Sequence, residues 1–194
     1  MEFDNKVFDN WESVLPAINS TDNYISSYPK LIEAAKCLND NFGEKSVPMV
    51  AYLAYGWMPT ILKYSGNIDK DRGIFKAATA KTEDEALEAI EKIQGSPTNN
   101  AWVGLSKTLH FFNPTIFPIW DSKVANALNL FSYDKIRGKD MYVKYMEFVS
   151  LNTGQRFVNI VREEFKAKAG YQISKVRAVE FTLFAIGKIK TKQS

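Results

Sequence analysis

The sequence predicts an all-α protein of roughly eight to ten short helices. Apolar residues recur at helical spacing nearly throughout, and no alternating strand pattern runs longer than Ile116–Trp120. Gly43, the Gly95–Asn100 cluster and Asn113-Pro114 fall between the periodic stretches, as helix ends require.

The elements follow in order. Pro29 sits where a helix can open, Leu31, Ile32, Ala35 and Leu38 form its stripe, and Gly43 stops it. Pro48 opens a stretch from Met49 to Tyr64 that is apolar on most sides and therefore reads as buried, with Pro59 placed to kink or break it. Residues Ser65 to Gly73 are polar and read as a loop. Thr82-Glu-Asp-Glu85 is a capping box, with an acidic first turn suited to the helix N-terminus. Its helix runs from Thr82 to Gln94 with Ala86, Leu87, Ile90 and Ile93 on one side. Gly95-Ser-Pro-Thr-Asn-Asn100 is the strongest breaker cluster in the chain. A helix over Leu105–Phe112 ends at Asn113-Pro114, and Ile116–Trp120 is extended. Asp121 or Ser122 caps the next helix, which carries Val124, Ala127 and Leu128 inward. Three more helices are expected at Lys139–Val149, Gln155–Ala167 and Ser174–Ile186, and Lys188 to Lys192 reads as a frayed, solvated end.

A chain of 194 residues with 45% apolar and 24% charged residues is long enough to bury a core without staples. It reads either as one helical unit (residues 1–194) or as two lobes flanking a cleft. One lobe is about 1–80 with the C-terminal helices, and the other is 81–150. The single cysteine, Cys37, excludes a disulfide framework, a Cys-x-x-Cys redox site, a cysteine-ligated zinc and a four-cysteine iron–sulfur cluster. A reducing, cytoplasmic setting follows. No membrane partner is expected, because the longest mostly apolar run, Val47 to Leu62, is interrupted by Pro48, Gly56 and Pro59. Net charge is +3 but uneven. Residues 1–100 carry 10 basic and 15 acidic side chains, whereas residues 101–194 carry 15 basic and 7 acidic ones. The basic half reads either as a solvated surface or as the seat of an anionic partner.

The stretch Trp102-Val-Gly-Leu-Ser-Lys-Thr-Leu-His-Phe-Phe112, followed by Ile116-Phe-Pro-Ile-Trp-Asp121, carries the chemistry. A glycine-bearing hairpin leading into a helix exposes N–H groups that bind phosphate oxygen without reading sequence. Lys107 in the first turn would sit in the positive field of that helix end, which lowers its pKa and favours the nucleophilic form, and burial would add to this. Asp121, emerging from an apolar strip, suits general-base or electrostatic work. The plainer readings are a surface lysine for Lys107 and a simple N-cap for Asp121. His110, the one histidine, reads as a satisfied core residue or a pocket residue. With no second histidine and no carboxylate cluster, no metal or other cofactor is expected.

These residues resemble the helix–hairpin–helix DNA glycosylases of base excision repair. The resemblance spans about residues 45–190. The first helix is Thr82–Gln94, the hairpin Gly95–Gly104 with Val103-Gly104 as its hydrophobic-Gly element, the lysine Lys107, and the Gly/Pro-rich loop Asn113 to Asp121. Arg177-Ala-Val-Glu-Phe-Thr-Leu-Phe-Ala-Ile-Gly187 is similar to the closing helix of that fold. Ser106 occupies the slot the family's lysine usually holds, and the lone cysteine points to the cluster-free, 8-oxoguanine-glycosylase-like branch. The resemblance implies double-stranded DNA with a damaged or modified base as partner, a monomeric enzyme, and a nucleotide flipped into an apolar pocket. The base could be 8-oxoguanine-like, alkylated, or a bulky modified base of phage DNA, the last fitting antiviral defence. In a bacterium the protein would be nucleoid-associated. Lys107 and Asp121 would be catalytic: Lys107 through a Schiff base with strand cleavage, or Asp121 alone through water. Val103, Gly104, Leu105, Ser106, Ser122 and Lys123 would contact DNA. Tyr55, Trp57, Trp102, His110 and Trp120 would wall the base pocket. The alternatives are a helix–hairpin–helix module that binds DNA without chemistry and a helical protein-interaction domain.

Overall fold

The computed structural model describes residues 3–58, 60–132 and 136–193, and the break expected at Pro59 lies outside them. The fold is all-α. Two 3-10 turns at Asn5–Phe8 and Trp11–Ala17 precede α1 (Asn23–Phe42), a third at Gly43–Lys45 leads into α2 (Ser46–Gly56), and α3 spans Ile68–Ala78. Then come α4 (Glu83–Glu91), α5 (Ala101–Phe112), α6 (Ser122–Ala127), α7 (Lys139–Asn152), α8 (Arg156–Ala169) and α9 (Lys175–Gln193). Among the described residues the only β pairing is a single bridge, Tyr64 with Thr98. One apolar cluster runs from Phe8 to Ala185 and takes in buried residues of every helix.

Local chemistry explains where the helices differ from expectation. Helix α1 starts six residues before Pro29, because the Asp22 carboxylate accepts the Tyr24 N–H at 2.8 Å. Pro29 then lies inside the helix and has no N–H for the Ile25 carbonyl. The Tyr171 hydroxyl donates to that carbonyl instead, at 2.7 Å, so the proline is accommodated by a partner from the far end of the chain. Gly43 ends α1 at φ 55°, as a helix stop requires. Helix α2 is shorter and wetter than expected, with Tyr52 56% exposed. The expected loop at Ser65–Gly73 is corrected: Asn67 accepts the Lys70 N–H at 3.0 Å and starts α3 there, with Ile74 and Ala77 inward. The capping box forms, with Thr82 accepting the Glu85 N–H at 3.2 Å, while the Glu85 carboxylate returns to Lys81 N–H at 2.8 Å.

The C-terminal end is not frayed. Helix α9 continues to Gln193 and packs closely against α6. Asn126 Nδ2 donates to the Gly187 carbonyl at 3.1 Å, and Lys190 Nζ donates to the Ala127 carbonyl at 2.9 Å. A Cβ on Gly187 would overlap the Lys123 carbonyl. Glycine there is a close-approach residue that lets α9 hold the start of α6, and with it Asp121.

Candidate functional site

The segment Phe117–Trp120 has no regular hydrogen-bonding pattern of its own, and Phe117, Ile119 and Trp120 are fully buried. Buried carbonyls need donors, and side chains from two helices supply them one by one. His110 Nδ1 donates to Phe117 O at 2.6 Å, the Tyr142 hydroxyl to Pro118 O at 3.1 Å and the Tyr145 hydroxyl to Ile119 O at 3.0 Å. Lys107 Nζ reaches Trp120 O at 3.3 Å, and Ser106 Oγ accepts Trp120 N–H at 3.0 Å. The segment is therefore a strap pinned between α5 and α7, and it delivers Asp121 at its end. There the carboxylate accepts the Lys123 and Val124 N–H groups, both at 2.9 Å, and caps α6.

A cleft of about 870 Å³ opens beside the strap. Lys107 and Asp121 both line it. Lys107 is 6% exposed and shares its Nζ protons between Val103 O and Trp120 O, both at 3.3 Å. Burial lowers the pKa of this amine, and the Arg177 cation adds to that, while Asp121 and Glu180 oppose it. Of the two causes expected from the sequence, the helix-end field is corrected here. Lys107 lies in the second turn of α5, since that helix starts at Ala101, and desolvation rather than a helix end acts on it.

The early start of α5 also overturns the expected phosphate grip. The N–H groups of its first turn are taken inside the protein: Ala101 by Thr98 O at 3.0 Å, Trp102 by Arg137 O at 3.5 Å and Val103 by Asn100 O at 3.2 Å. Of the residues expected to touch DNA, Val103, Ser122 and Lys123 line the cleft. Gly104, Leu105 and Ser106 do not: all three are buried within α5. Gly104 serves packing, because a Cβ there would overlap the Tyr55 hydroxyl and lie 2.6 Å from Thr98 Oγ1.

The expected aromatic walls are corrected in the same way. Trp57 lines the cleft, whereas Tyr55, Trp102, His110 and Trp120 do not. Trp102 is stacked on Tyr142 with centroids 5.5 Å apart, and Trp120 packs on Tyr145 at 4.6 Å with its indole N–H donating to Ile136 O at 2.6 Å. Tyr55 is buried beneath α5. His110 has no access to solvent; a carbonyl can only accept, so Nδ1 carries the proton and Nε2 accepts from the Tyr28 hydroxyl at 2.8 Å. Burial lowers its pKa from 6.5 to about 3, with Arg177 contributing, so the ring is a neutral structural pin.

Two residues of the cleft escaped sequence reasoning as site residues. Arg177 and Glu180, at 7% and 1% exposure, form an ion pair one turn apart on α9 and line the same cavity. The guanidinium lies 4.9 Å from the Tyr28 ring centroid and 5.8 Å from that of Trp57. Burial raises the Glu180 carboxyl above its ordinary range, an effect Arg177 opposes. The available signal was an Arg-x-x-Glu spacing within the apolar run Val176–Phe184. Among the described residues no group of three or more His, Cys, Asp or Glu side chains is placed to hold a metal, and no helix is long and apolar enough to cross a membrane. No family model, no curated protein and no solved structure matches the chain.

Proposed function

We propose that the protein is a DNA N-glycosylase whose cleft receives a flipped nucleotide and whose reacting groups are Lys107 and Asp121. The observation that carries this reading is their meeting in one cleft, fourteen positions apart in sequence, with the amine buried and its pKa lowered. A neutral amine has two N–H groups. Val103 O and Trp120 O can take both, which leaves the lone pair unengaged. In the reaction the Nζ lone pair forms a bond to the sugar C1′, and the C1′–N bond breaks with its electrons leaving on the base. Asp121 stabilises the positive charge on the sugar and accepts the proton that Nζ loses. The nitrogen lone pair then forms the C1′=N bond as C1′–O4′ breaks, Asp121 returns its proton to O4′, and water protonates the departed base, which gives the Schiff base. The basic rim residues Lys123 and Lys188 suit an anionic backbone, a role that the occupied N–H groups of α5 cannot fill. A binding-only hairpin module gains no support, since it would need those same groups.

The test is incubation with oligonucleotides carrying a panel of damaged and modified bases, followed by borohydride. A covalent adduct that disappears in Lys107→Gln and persists in Lys123→Gln supports the reading. Base release without an adduct, lost in Asp121→Asn, assigns the chemistry to Asp121 and water. Absence of both adduct and release across the panel overturns it.

A further inference from the structure

The Arg177–Glu180 pair has more hydrogen-bonding capacity than the protein uses. A guanidinium offers five N–H donors and a carboxylate two acceptor oxygens. Here Arg177 Nη1 meets Glu180 Oε2, and among the described residues no other protein acceptor takes the remaining N–H groups of Arg177 and no protein donor reaches Glu180 Oε1. Leaving such groups open in a buried setting is costly, and structural ion pairs are normally completed by further hydrogen bonds. Among the described residues, the buried side-chain atoms that lack both partner and solvent are Asn39 Oδ1 and Asn152 Oδ1, so the open groups of the pair keep contact with the cleft they line. The guanidinium is held against the Tyr28 and Trp57 rings, and Trp57 also lines the cavity, so a flat ligand would find both a stacking surface and a polar edge.

We infer that Arg177 and Glu180 read the edge of a planar heterocycle that presents two adjacent acceptors followed by a donor. This rests on the reading of the cleft as a nucleobase pocket and names the base class. The order follows from the pair itself: two neighbouring N–H groups of the fork face two acceptors, and the free carboxylate oxygen beside them faces a donor. A 6-oxopurine offers N7, O6 and N1–H in that order. A 4-aminopyrimidin-2-one offers O2, N3 and N4–H. Adenine places its amino donor between two acceptors, and uracil and thymine place N3–H between two carbonyls, so each leaves a donor facing the fork. A 7-substituted or 8-oxo purine loses N7 as an acceptor and is disfavoured for the same reason.

The experiment is a ligand-detected NMR titration of the whole protein with free nucleosides: inosine and cytidine against adenosine and uridine. Inosine, cytidine or both should bind at least about tenfold more tightly than the other two, because a buried donor left facing a donor loses its hydrogen bond. Replacement of inosine by 7-deazainosine, or of cytidine by N4,N4-dimethylcytidine, should abolish the advantage and identifies which source the pair reads. The preference should vanish in Glu180→Gln. It should also vanish in the double variant Arg177→Met with Glu180→Met, which removes both charges together and leaves neither buried alone. Equal binding of all four nucleosides, no binding up to their solubility limits, or a preference that survives the double variant overturns the inference. The outcomes separate from those above: selective nucleoside binding without adduct or base release sinks the glycosylase and keeps the edge reader, and base release without edge preference does the reverse.

Discussion

Two sides of one cleft treat their polar groups in opposite ways. On the strap side, each carbonyl from Phe117 to Trp120 has a side-chain donor, and the Asp121 carboxylate is held by two backbone N–H groups. On the α9 side, a buried arginine and glutamate satisfy one another once and leave the rest of their capacity facing the cavity. The first arrangement is a scaffold, because a polar network with every member satisfied specifies one geometry. The second is a receptor, because open donors and acceptors at a cavity wall are what a ligand can complete. The contrast teaches that burial alone does not mark a functional charge. His110 is as buried as Glu180, yet both of its ring nitrogens are engaged and it lies outside the cleft.

Breaking the scaffold should cost most. Trp120→Ala removes the indole packed on Tyr145 and the hydrogen bond to Ile136 O, and should destabilise the fold by about 3–5 kcal/mol in a urea titration. A loss under about 1 kcal/mol would mean that the strap is not a packed element.

Acid should unpick the same side through His110. Its pKa is lower in the folded chain, about 3 against 6.5 unfolded, so the unfolded state binds more protons between those values. The contribution of this residue to stability is complete above about pH 6.5 and falls on acidification at up to about 1.4 kcal/mol per pH unit until about pH 3. Midpoints of denaturant unfolding followed from pH 7 to pH 4 should decline. A slope that is unchanged in His110→Gln, after allowing for its lower starting stability, would assign the decline elsewhere.

A smaller effect sharpens the comparison. Tyr145→Phe keeps the ring on Trp120 but leaves Ile119 O without its donor, for about 1–2 kcal/mol. An unchanged melting temperature would show that this carbonyl is served by water instead.

Lys107 belongs to both sides, and its removal should have the least effect on stability with the opposite sign. Its pKa is lowered in the fold, so below the unfolded value of 10.5 the unfolded state takes up the proton more readily and the folded state bears a penalty, which disappears as pH rises through that value. Lys107→Met should therefore raise stability at pH 7 by about 1 kcal/mol, with a smaller gain at pH 10.5. A destabilised Lys107→Met at pH 7 would show that its bonds to Val103 O and Trp120 O outweigh the cost of burying the amine.

How much of this was legible in the sequence depended on whether the information was local. The all-α class, the Gly43 stop, the Thr82 capping box and the Asp121 cap are written in neighbouring residues, and they are present in the structure. Lys107 and Asp121 could be picked out because one sits on a helix and the other ends a strip that must return along it. What was hidden depends on distant partners. Helix α1 tolerates Pro29 because Tyr171 is near, and α3 forms in a polar stretch because Asn67 caps it and Ile74 finds the core. Trp102 and Trp120 are not cleft walls because Tyr142 and Tyr145 cover them. Arg177 and Glu180 were overlooked as site residues because an i, i+3 ion pair on a helix usually lies on the surface. Only the apolar residues around them hinted otherwise.

The hydroxyl of Tyr171 on the Ile25 carbonyl has a consequence for how the molecule comes apart. It fastens the opening turns of α1 to the corner between α8 and α9, across 146 positions of chain. Tyr28, which bonds His110, sits one turn further along that same helix. Trimming the chain before Tyr171 would therefore loosen a region at the opposite terminus. In hydrogen exchange, the amides of the first α1 turns and of the last helix should open together as one cooperative unit, rather than fraying separately from the two ends.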